Sequence, residues 1–568
     1  MGVRRVAGAL MGAFLVVPTL VMAEEPARKW GAFLDIEGKA GTKRNLGEAA
    51  LFVPLLQDER TMLFGDVRFK MDDQNSHEGN FGLGVRRMMA DGWNAGFYGF
   101  YDRRHSPNNN MFDQLTFGAE ALGTHFDFRA NSYWPVGNVA QPLGPPTSTQ
   151  PVGSISGSTL QVTTPAMLQR IEYALRGFDA EAGVRIPIVP VESPYQLRFY
   201  AGGFRFDEPT GVASVVAGPR LRLELTDYDV PNLWNGTRFT VGAEWQTDEV
   251  RGSQFFAGLR LRVPLQAEPD RAKRTLQERR MTDTIVRDVD IVANAKTVQL
   301  APAYTEQAVT TATGQAITGI SSATTAGTAL PGAVTAAGTN SVVVLSGGFV
   351  TTASTTLQTG QTLYGGGTLS VRTASGRVVD VALPSASISS TTPAIDGLLT
   401  MGNNSTVSGV TFNYTSSSNG TIIGAAGSAG ATITGNRIVM ENATGGSGIS
   451  IVNGSNITIG NNSITMVGTG AGGSLGIFVQ GVTGVTVSNN SAAVTSTATA
   501  IGLSSVDTTG LTVSGNSLSA VATSSRAISL RNTDVVAGST GNVRVNGTCA
   551  TAGANTGSVS FTDGTTCP

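Results

Sequence analysis

Lysine stops at Lys296 and histidine at His125, so positions 301–568 contain neither, and only seven acidic residues and six arginines lie among them. Charged residues make up 14% of the whole chain and the formal net charge is −2. A dedicated nucleic-acid binder needs a concentrated basic face, and this balance argues against one. Past the first 23 residues no apolar run reaches the ~18 residues of a transmembrane helix. Any membrane span must therefore be a closed barrel, the other structure that satisfies every backbone polar group in lipid. Cysteine is almost absent: Cys549 and Cys567 are the two present. In an exported chain this spacing reads as a disulfide closing a terminal loop, set against two unpaired thiols.

Catalytic equipment is scarce as well. Polysaccharide cleavage needs paired carboxylates, yet Asp380, Asp396, Glu441, Asp507, Asp534 and Asp563 share no repeating position. Gly468-Thr469-Gly470-Ala471-Gly472-Gly473 fits a Gly-x-Gly-x-x-Gly pattern without the strand–helix unit that would make it a nucleotide loop. His77, His105 and His125 fall in expected loops or turns, where histidines are ordinarily just solvated. No catalytic, cofactor or metal site is expected, and the chain is read as not an enzyme.

What is present divides at about residue 300. All five tryptophans lie between Trp30 and Trp245, and the second half is rich in Gly, Ser, Thr and Asn. Residues 1–23 have the form of a secretory leader. Arg4 and Arg5 precede the apolar stretch Val6–Val21, and Val21-Met22-Ala23 supplies the cleavage positions. After it, twelve strands are predicted at 31–41, 48–57, 61–72, 80–89, 93–103, 112–122, 125–136, 172–187, 195–206, 213–227, 237–247 and 252–265. Successive strand side chains alternate faces. Leu259, Leu261 and Val263 thus oppose Arg260 and Arg262, and Phe126 and Phe128 oppose Asp127 and Arg129. Tight connections at 58–60, 90–92 and 123–124 alternate with longer ones at 73–79, 104–111 and 137–171, as in outer-membrane barrels. A parity change at Gly202-Gly203 predicts a bulge. Asp66, Arg68, Asp127, Arg129, Asp179, Glu181, Arg220, Arg222, Glu224, Glu244, Arg260 and Arg262 are expected to face the lumen. They would either hold a threaded segment or simply pair with one another.

An even strand number returns the chain to the side on which the barrel began, leaving about 300 residues to place. The next stretch, 271–292, is charged and helix-compatible at first, then extended, and suggests a plug or hairpin at the pore mouth. FVPLLQDE (52–59), LFGDVRFKMDD (63–73), EGNFGLGVRRM (78–88), DGWNAGFYGFYDRR (91–104), QLTFGAEALG (114–123), FDFRANSYWPVG (126–137) and RMTDTIVRDVDIV (280–292) follow in order. Together they resemble the inverse autotransporter barrel of intimins and invasins over residues 30–295. The resemblance implies a twelve-stranded transmembrane barrel, a linker through its pore, and export of the C-terminal passenger to the cell surface. With so few residues between the leader and the first strand, the peptidoglycan-binding module of some relatives is not expected here. The passenger does not look like the immunoglobulin-like and lectin-like strings of the best-known members, so receptor specificity does not carry over.

Residues 305–340, rich in Ala, Thr and Gly, suggest a flexible linker. From 341 a motif recurs as ATITGN (431–436), ITIGNN (457–462), VTVSNN (485–490) and LTVSGN (511–516). Asn436, Asn462, Asn490 and Asn516 are spaced by 26, 28 and 26 residues, and a second strand repeats at Ile449, Ile477, Ile501 and Ile528. Such periods mark a solenoid, with asparagines at the bends bonding between neighbouring rungs. VVVLSGG (342–348) and LYGGG (363–367) resemble the first coils of pectin-lyase-like right-handed β-helices. The expected fold is all-β, in four parts: leader 1–23, barrel 24–265, pore-threading linker with a short helix 266–340, and β-helix with a terminal cap 341–568. The functional expectation is an outer-membrane anchor displaying an adhesive passenger. Its expected partners are outer-membrane lipid, barrel-assembly machinery, periplasmic chaperones and a surface receptor or glycan, with no nucleic acid. The alternatives are a porin-like channel with a periplasmic solenoid, or a displayed carbohydrate-active enzyme.

Overall fold

Strand alternation in the first half resolves into a closed antiparallel barrel of β1 (Phe33–Gly41), β2 (Leu46–Gln57), β3 (Thr61–Asp72), β4 (His77–Met88), β5 (Asn94–His105), β6 (Met111–Leu122), β7 (Phe126–Val136), β8 (Arg176–Arg185), β9 (Tyr195–Asp207), β10 (Val216–Asp227), β11 (Arg238–Asp248) and β12 (Gly252–Pro264). The computed structural model describes residues 29–568 except 231–232, 266–273, 289, 392–396 and 416–418. The expected leader lies outside the described residues. The described chain falls into two units, one up to residue 146 plus 168–299, the other 147–167 plus 300–568. No described helix is long and apolar enough to cross a membrane.

β1 closes on β12 in continuous register from Phe33↔Pro264 to Gly41↔Phe256, so no strand edge is left open. Phe81, Leu83, Phe97, Phe126, Phe128 and Leu259 stay exposed on the outer wall, while Asp66, Arg68, Asp127 and Arg129 are buried inside. An apolar exterior around a charged interior fits a barrel in lipid. The same unit contains the short helix α1 (Leu276–Arg280) and a three-stranded sheet of 293–301, 167–174 and 140–142.

Three local expectations are corrected. The eighth strand is not continuous over 172–187. It breaks at Leu175, whose amide donates to Val292 O at 2.8 Å, and Met167–Ala174 leaves the wall for the small sheet. The bulge at Gly202-Gly203 does not exist, because β9 pairs with β8 and β10 without interruption. Parity is kept by turning Phe204 and Phe206 inward, against Tyr133, Leu175 and Val216. The register step falls instead at Pro54/Leu56 in β2, where proline has no amide to give the ladder. The contrast in loop length also weakens. β4 and β5 extend beyond the predicted limits, shrinking two connections to 73–76 and 106–110, and 137–175 alone remains long at that end. His77 and His105 consequently sit at strand ends, their rings stacked 4.7 Å apart, rather than in loops.

The second unit is a parallel β-solenoid. Its coils stack Val407, Ile433, Ile459, Val487 and Val513 in one interior column and Phe412, Ile438, Ile464, Ala492 and Leu518 in another. A third column has eight strands, from 355–356 to 548–552. There Ile449 stacks on Ile477, then Leu503, then Ile528. Ile501, expected in this column, is displaced by two positions and pairs with Leu475 instead. The predicted asparagines form a ladder at one bend. The side-chain Nδ2 and backbone N–H of Asn436, Asn462 and Asn490 all donate to Oδ1 of the next asparagine at 2.9–3.1 Å. Asn542, missed in the sequence, extends the ladder from Asn516 at 3.0 Å.

Both solenoid ends are covered. Residues 305–340 are ordered rather than a flexible linker: strands Tyr304–Thr310 and Thr318–Ser321 precede α2 (Leu330–Ala336), whose Leu330 and Val334 enter the core. At the far end Cys549, paired opposite Ile528 in the last coil, is disulfide-bonded to buried Cys567. The hairpin of Val559–Ser560 and Thr566–Cys567 brings Val559 and Phe561 onto the core.

Candidate functional site

The barrel lumen is threaded by its own chain. Thr275 caps α1 by accepting from the Glu278 amide while Glu278 returns a bond to the Thr275 amide, an N-terminal capping box. Trp30 Nε1 donates to Glu278 O at 2.9 Å and Asn94 Nδ2 to Gln277 O at 2.8 Å, which seats α1 at the barrel end where β1 begins and β12 finishes. Met281 and Thr282 continue the turn that ends the helix, Asp283 N donating to Arg280 O at 3.1 Å, and the described residues of 283–292 form neither helix nor hairpin. At about 3.3 Å per residue, 283–292 is long enough to pass the ~25 Å apolar band of an outer-membrane barrel.

Wall side chains meet this segment along its length. Arg280 is clamped by Asp127 through two bonds of 2.7 and 2.8 Å, and Arg238 donates to Asp283 at 2.9 Å. Arg262 donates to Thr282 O at 2.7 Å and Arg68 to Ile285 O at 3.0 Å. Arg287 reaches Asp102 at 2.7 Å and Glu78 at 3.3 Å, while Arg220 holds Asp288 at 3.0 Å. At the opposite end Arg44 and Arg104 grip Asp290 at 2.6 and 2.8 Å. The main chain in the lumen cannot form a ladder, so its amides and carbonyls need such partners.

All twelve expected lumen charges are buried or half-buried there, but they divide by role. Arg68, Asp127, Arg220 and Arg262 touch the threaded segment. The others pair within the wall: Asp66 with Arg68 at 2.7 Å, Arg129 and Arg222 with Glu181 at 2.9 and 2.6 Å, Arg260 with Glu37 at 2.8 Å, and Glu244 with Arg220 at 3.4 Å. Glu224 pairs with Arg222, and Asp179 accepts from Asn131 at 2.7 Å and Tyr133 at 2.6 Å. Alternation did not single out Glu78, Arg86, Asp102, Arg104 or Arg238, although each occupies an inward position on its strand.

The lumen is also less polar than expected. Phe33, Phe52 and Phe64 stack in sequence at 4.7 Å spacings, and with Trp30 and Met62 they pack on Met281 and Ile285. The Arg262 guanidinium lies 3.4 Å over the Phe33 ring, a cation–π contact. Outside the wall, Asp58 pins the turn after β2 by accepting from the amides of Arg60 and Thr61, both at 2.7 Å; those bonds hold its carboxyl below its ordinary value. Among the described residues no group of three or more His, Cys, Asp or Glu is placed to hold a metal ion.

Residues 30–200 match the family model described as inverse autotransporter, beta-domain. No curated protein matches the chain closely enough to count as a relative. Solved structures are similar at low level. The translocator domain of autotransporter NalP from Neisseria meningitidis is 10% identical with TM-score 0.21, covering 42% of this chain and 90% of that one. The β domain of the Bordetella autotransporter BrkA is 10% identical with TM-score 0.21, covering 40% and 98%. A protein from work on in-meso crystallisation of membrane proteins is 16% identical with TM-score 0.33, covering 47% and 100%. These three likenesses are too slight to argue from. The match covers residues 30–200 of the barrel, and an inverse autotransporter β-domain there indicates the outer membrane.

Proposed function

We propose that the barrel anchors this chain in the outer membrane and displays the C-terminal solenoid at the cell surface, for adhesion. The observation that carries this reading is the threaded segment. It enters at the end bearing α1 and both barrel termini. It leaves at the other end, where Ile291 packs with Phe112 and Ala174 and where the long connection 137–175 lies. The longest connections face outward in such barrels, so a chain leaving beside 137–175 emerges outside. The passenger is proposed as a binding body rather than an enzyme. Carboxylates of its last coils are engaged by neighbouring side chains, Asp507 by Asn532 at 2.8 Å, Asp534 by Thr556 and Asp563 by Arg544 at 3.1 Å, while Thr, Ser and Asn line its coils. Barrel-assembly machinery, periplasmic chaperones and a surface receptor or glycan are its proposed partners.

Protease added to intact cells should remove epitopes beyond residue 300 and leave the barrel in the membrane. Protection of the C-terminal half until the envelope is opened would overturn display.

A further inference from the structure

The long connection between β7 and β8 does not end as a surface loop. Within it, Val152–Ser156 and Thr159–Thr164 form a hairpin in register from Thr159↔Ser156 to Thr163↔Val152. This hairpin belongs to the second unit. Its second strand, Thr159–Thr164, pairs antiparallel with Tyr304–Thr310, from Gln161↔Gln307 to Thr164↔Tyr304, and the Thr163 and Thr305 hydroxyl oxygens lie 2.9 Å apart. It also occupies the edge of Thr318–Ser321: Gly319 N donates to Ser158 O at 2.9 Å and Leu160 N to Ile317 O at 3.3 Å.

That edge is the start of the solenoid. Thr318–Ser321 is followed by Val342–Val350 in parallel register, Thr318↔Val343 to Ser321↔Ser346. Val343 and Leu345 point into the solenoid core, whereas Val344 points the other way, into a second apolar cluster. There it meets Leu160 and Val162 of the hairpin, both essentially fully buried, with Ala308, Ile317 and Val381.

A parallel coil pairs residues about one repeat apart, and the first coil has no earlier rung to pair with. Its loop-closure entropy is lost before any stacked neighbour rewards it, and its free edge would invite pairing with another chain. An existing antiparallel edge with two apolar side chains removes both difficulties. In repeat architectures, folding that starts at one point propagates by nearest-neighbour contacts.

We infer that hairpin Val152–Thr164, carried on a barrel connection, is the template on which the passenger begins to fold, its docking partner being the passenger's own strands Tyr304–Thr310 and Thr318–Ser321. This rests on the display reading for its setting, because the hairpin precedes β8 in the chain and would await the passenger at its exit.

The test uses the full chain in outer membranes. The double variant L160D/V162D places two carboxylates in the second apolar cluster. In pulse-chase with protease sampling, the solenoid should gain protease resistance more than about tenfold more slowly than wild type, as expected for a change in a folding nucleus. The barrel should keep its heat-dependent gel shift. A C549S/C567S control should lower the final resistance without slowing its onset, which separates a template from a passive cover. Wild-type onset in L160D/V162D would overturn the inference. Independently, T163C/T305C should form a disulfide in the exported chain, and two free thiols there would also overturn it. Onset is read on opened as well as intact cells. Protection confined to intact cells would defeat display alone, while the onset in opened cells still decides the template.

Discussion

Arg287 shows what one threaded side chain can hold. It donates to Asp102 and Glu78, and Asp102 also accepts from Thr116 at 2.6 Å and Asn80 at 2.8 Å. R287A would leave two neighbouring carboxylates facing each other, sealed from bulk water. Removing one partner of a buried ion pair costs about 3–5 kcal/mol. The threaded segment should therefore loosen, and planar-bilayer conductance should rise while barrel assembly is unchanged. R287K, which keeps the charge but not the forked geometry, should fall between. Conductance as low as wild type in R287A would show that this pair does not seat the segment. The face on which Asp102 lies was legible from strand alternation, but its partner was not, being 185 residues away in sequence. Phe204 and Phe206 misled for a related reason. Hydrophobicity alone cannot tell a lipid-facing phenylalanine from one packed inside on Val292.

At the level of the repeating coil, the asparagine ladder was readable because a solenoid restores sequence period to spatial order. Each rung bonds the next at the same bend. Asn490 Nδ2 donates to Ile459 O at 2.9 Å and to Asn516 Oδ1 at 3.0 Å, while its own Oδ1 accepts from the Asn462 amide at 3.0 Å. N490A should leave that amide and carbonyl buried without partners, at about 1–3 kcal/mol each. Limited proteolysis of the full chain should then cut between the rungs of Asn462 and Asn516, where wild type resists. Cleavage confined to the ends would show the ladder to be dispensable. Asn542 escaped notice because VAGSTGN (536–542) lacks the apolar–Thr–apolar triplet before it. Ile501 misled because Ala500, Ile501 and Leu503 are all apolar, leaving residue type no power to fix register. The terminal cap follows from the same stacking. Cys567 is buried on the core, and its bond to Cys549 closes a loop worth roughly 3 kcal/mol in the chain-entropy model. C549S/C567S should fray the last coil first, read as earlier proteolytic loss of residues beyond about 530, with the barrel unaffected.

Across the whole molecule, composition reports the two environments. Aromatics and charges crowd the half that alternates between lipid and lumen, and Thr, Ser and Asn dominate the half whose coils stack in water. That division was plain in sequence, but its boundary was not simply linear. The segment VGSISGSTLQVTT (152–164) has the passenger's composition inside the barrel's half, and composition was the one signal that could have placed it with the second unit. The threaded segment, in turn, is a structural part of the barrel. Asp283, Arg287, Asp288 and Asp290 complete wall charges that would otherwise face a water-filled channel. A chain ending at Leu265 keeps all twelve strands and the β1–β12 closure but loses these partners. It should still assemble, since its outer wall is unaltered, and its lumen should fill with water. Its conductance in planar bilayers should greatly exceed that of the full chain, and its thermal stability should be lower because Asp102 loses Arg287 and Asp127 loses Arg280, keeping Arg198 of the wall. Equal, small conductance with and without residues 266–568 would mean that the wall closes the pore unaided, and the threaded segment would lose its assigned part as the seal.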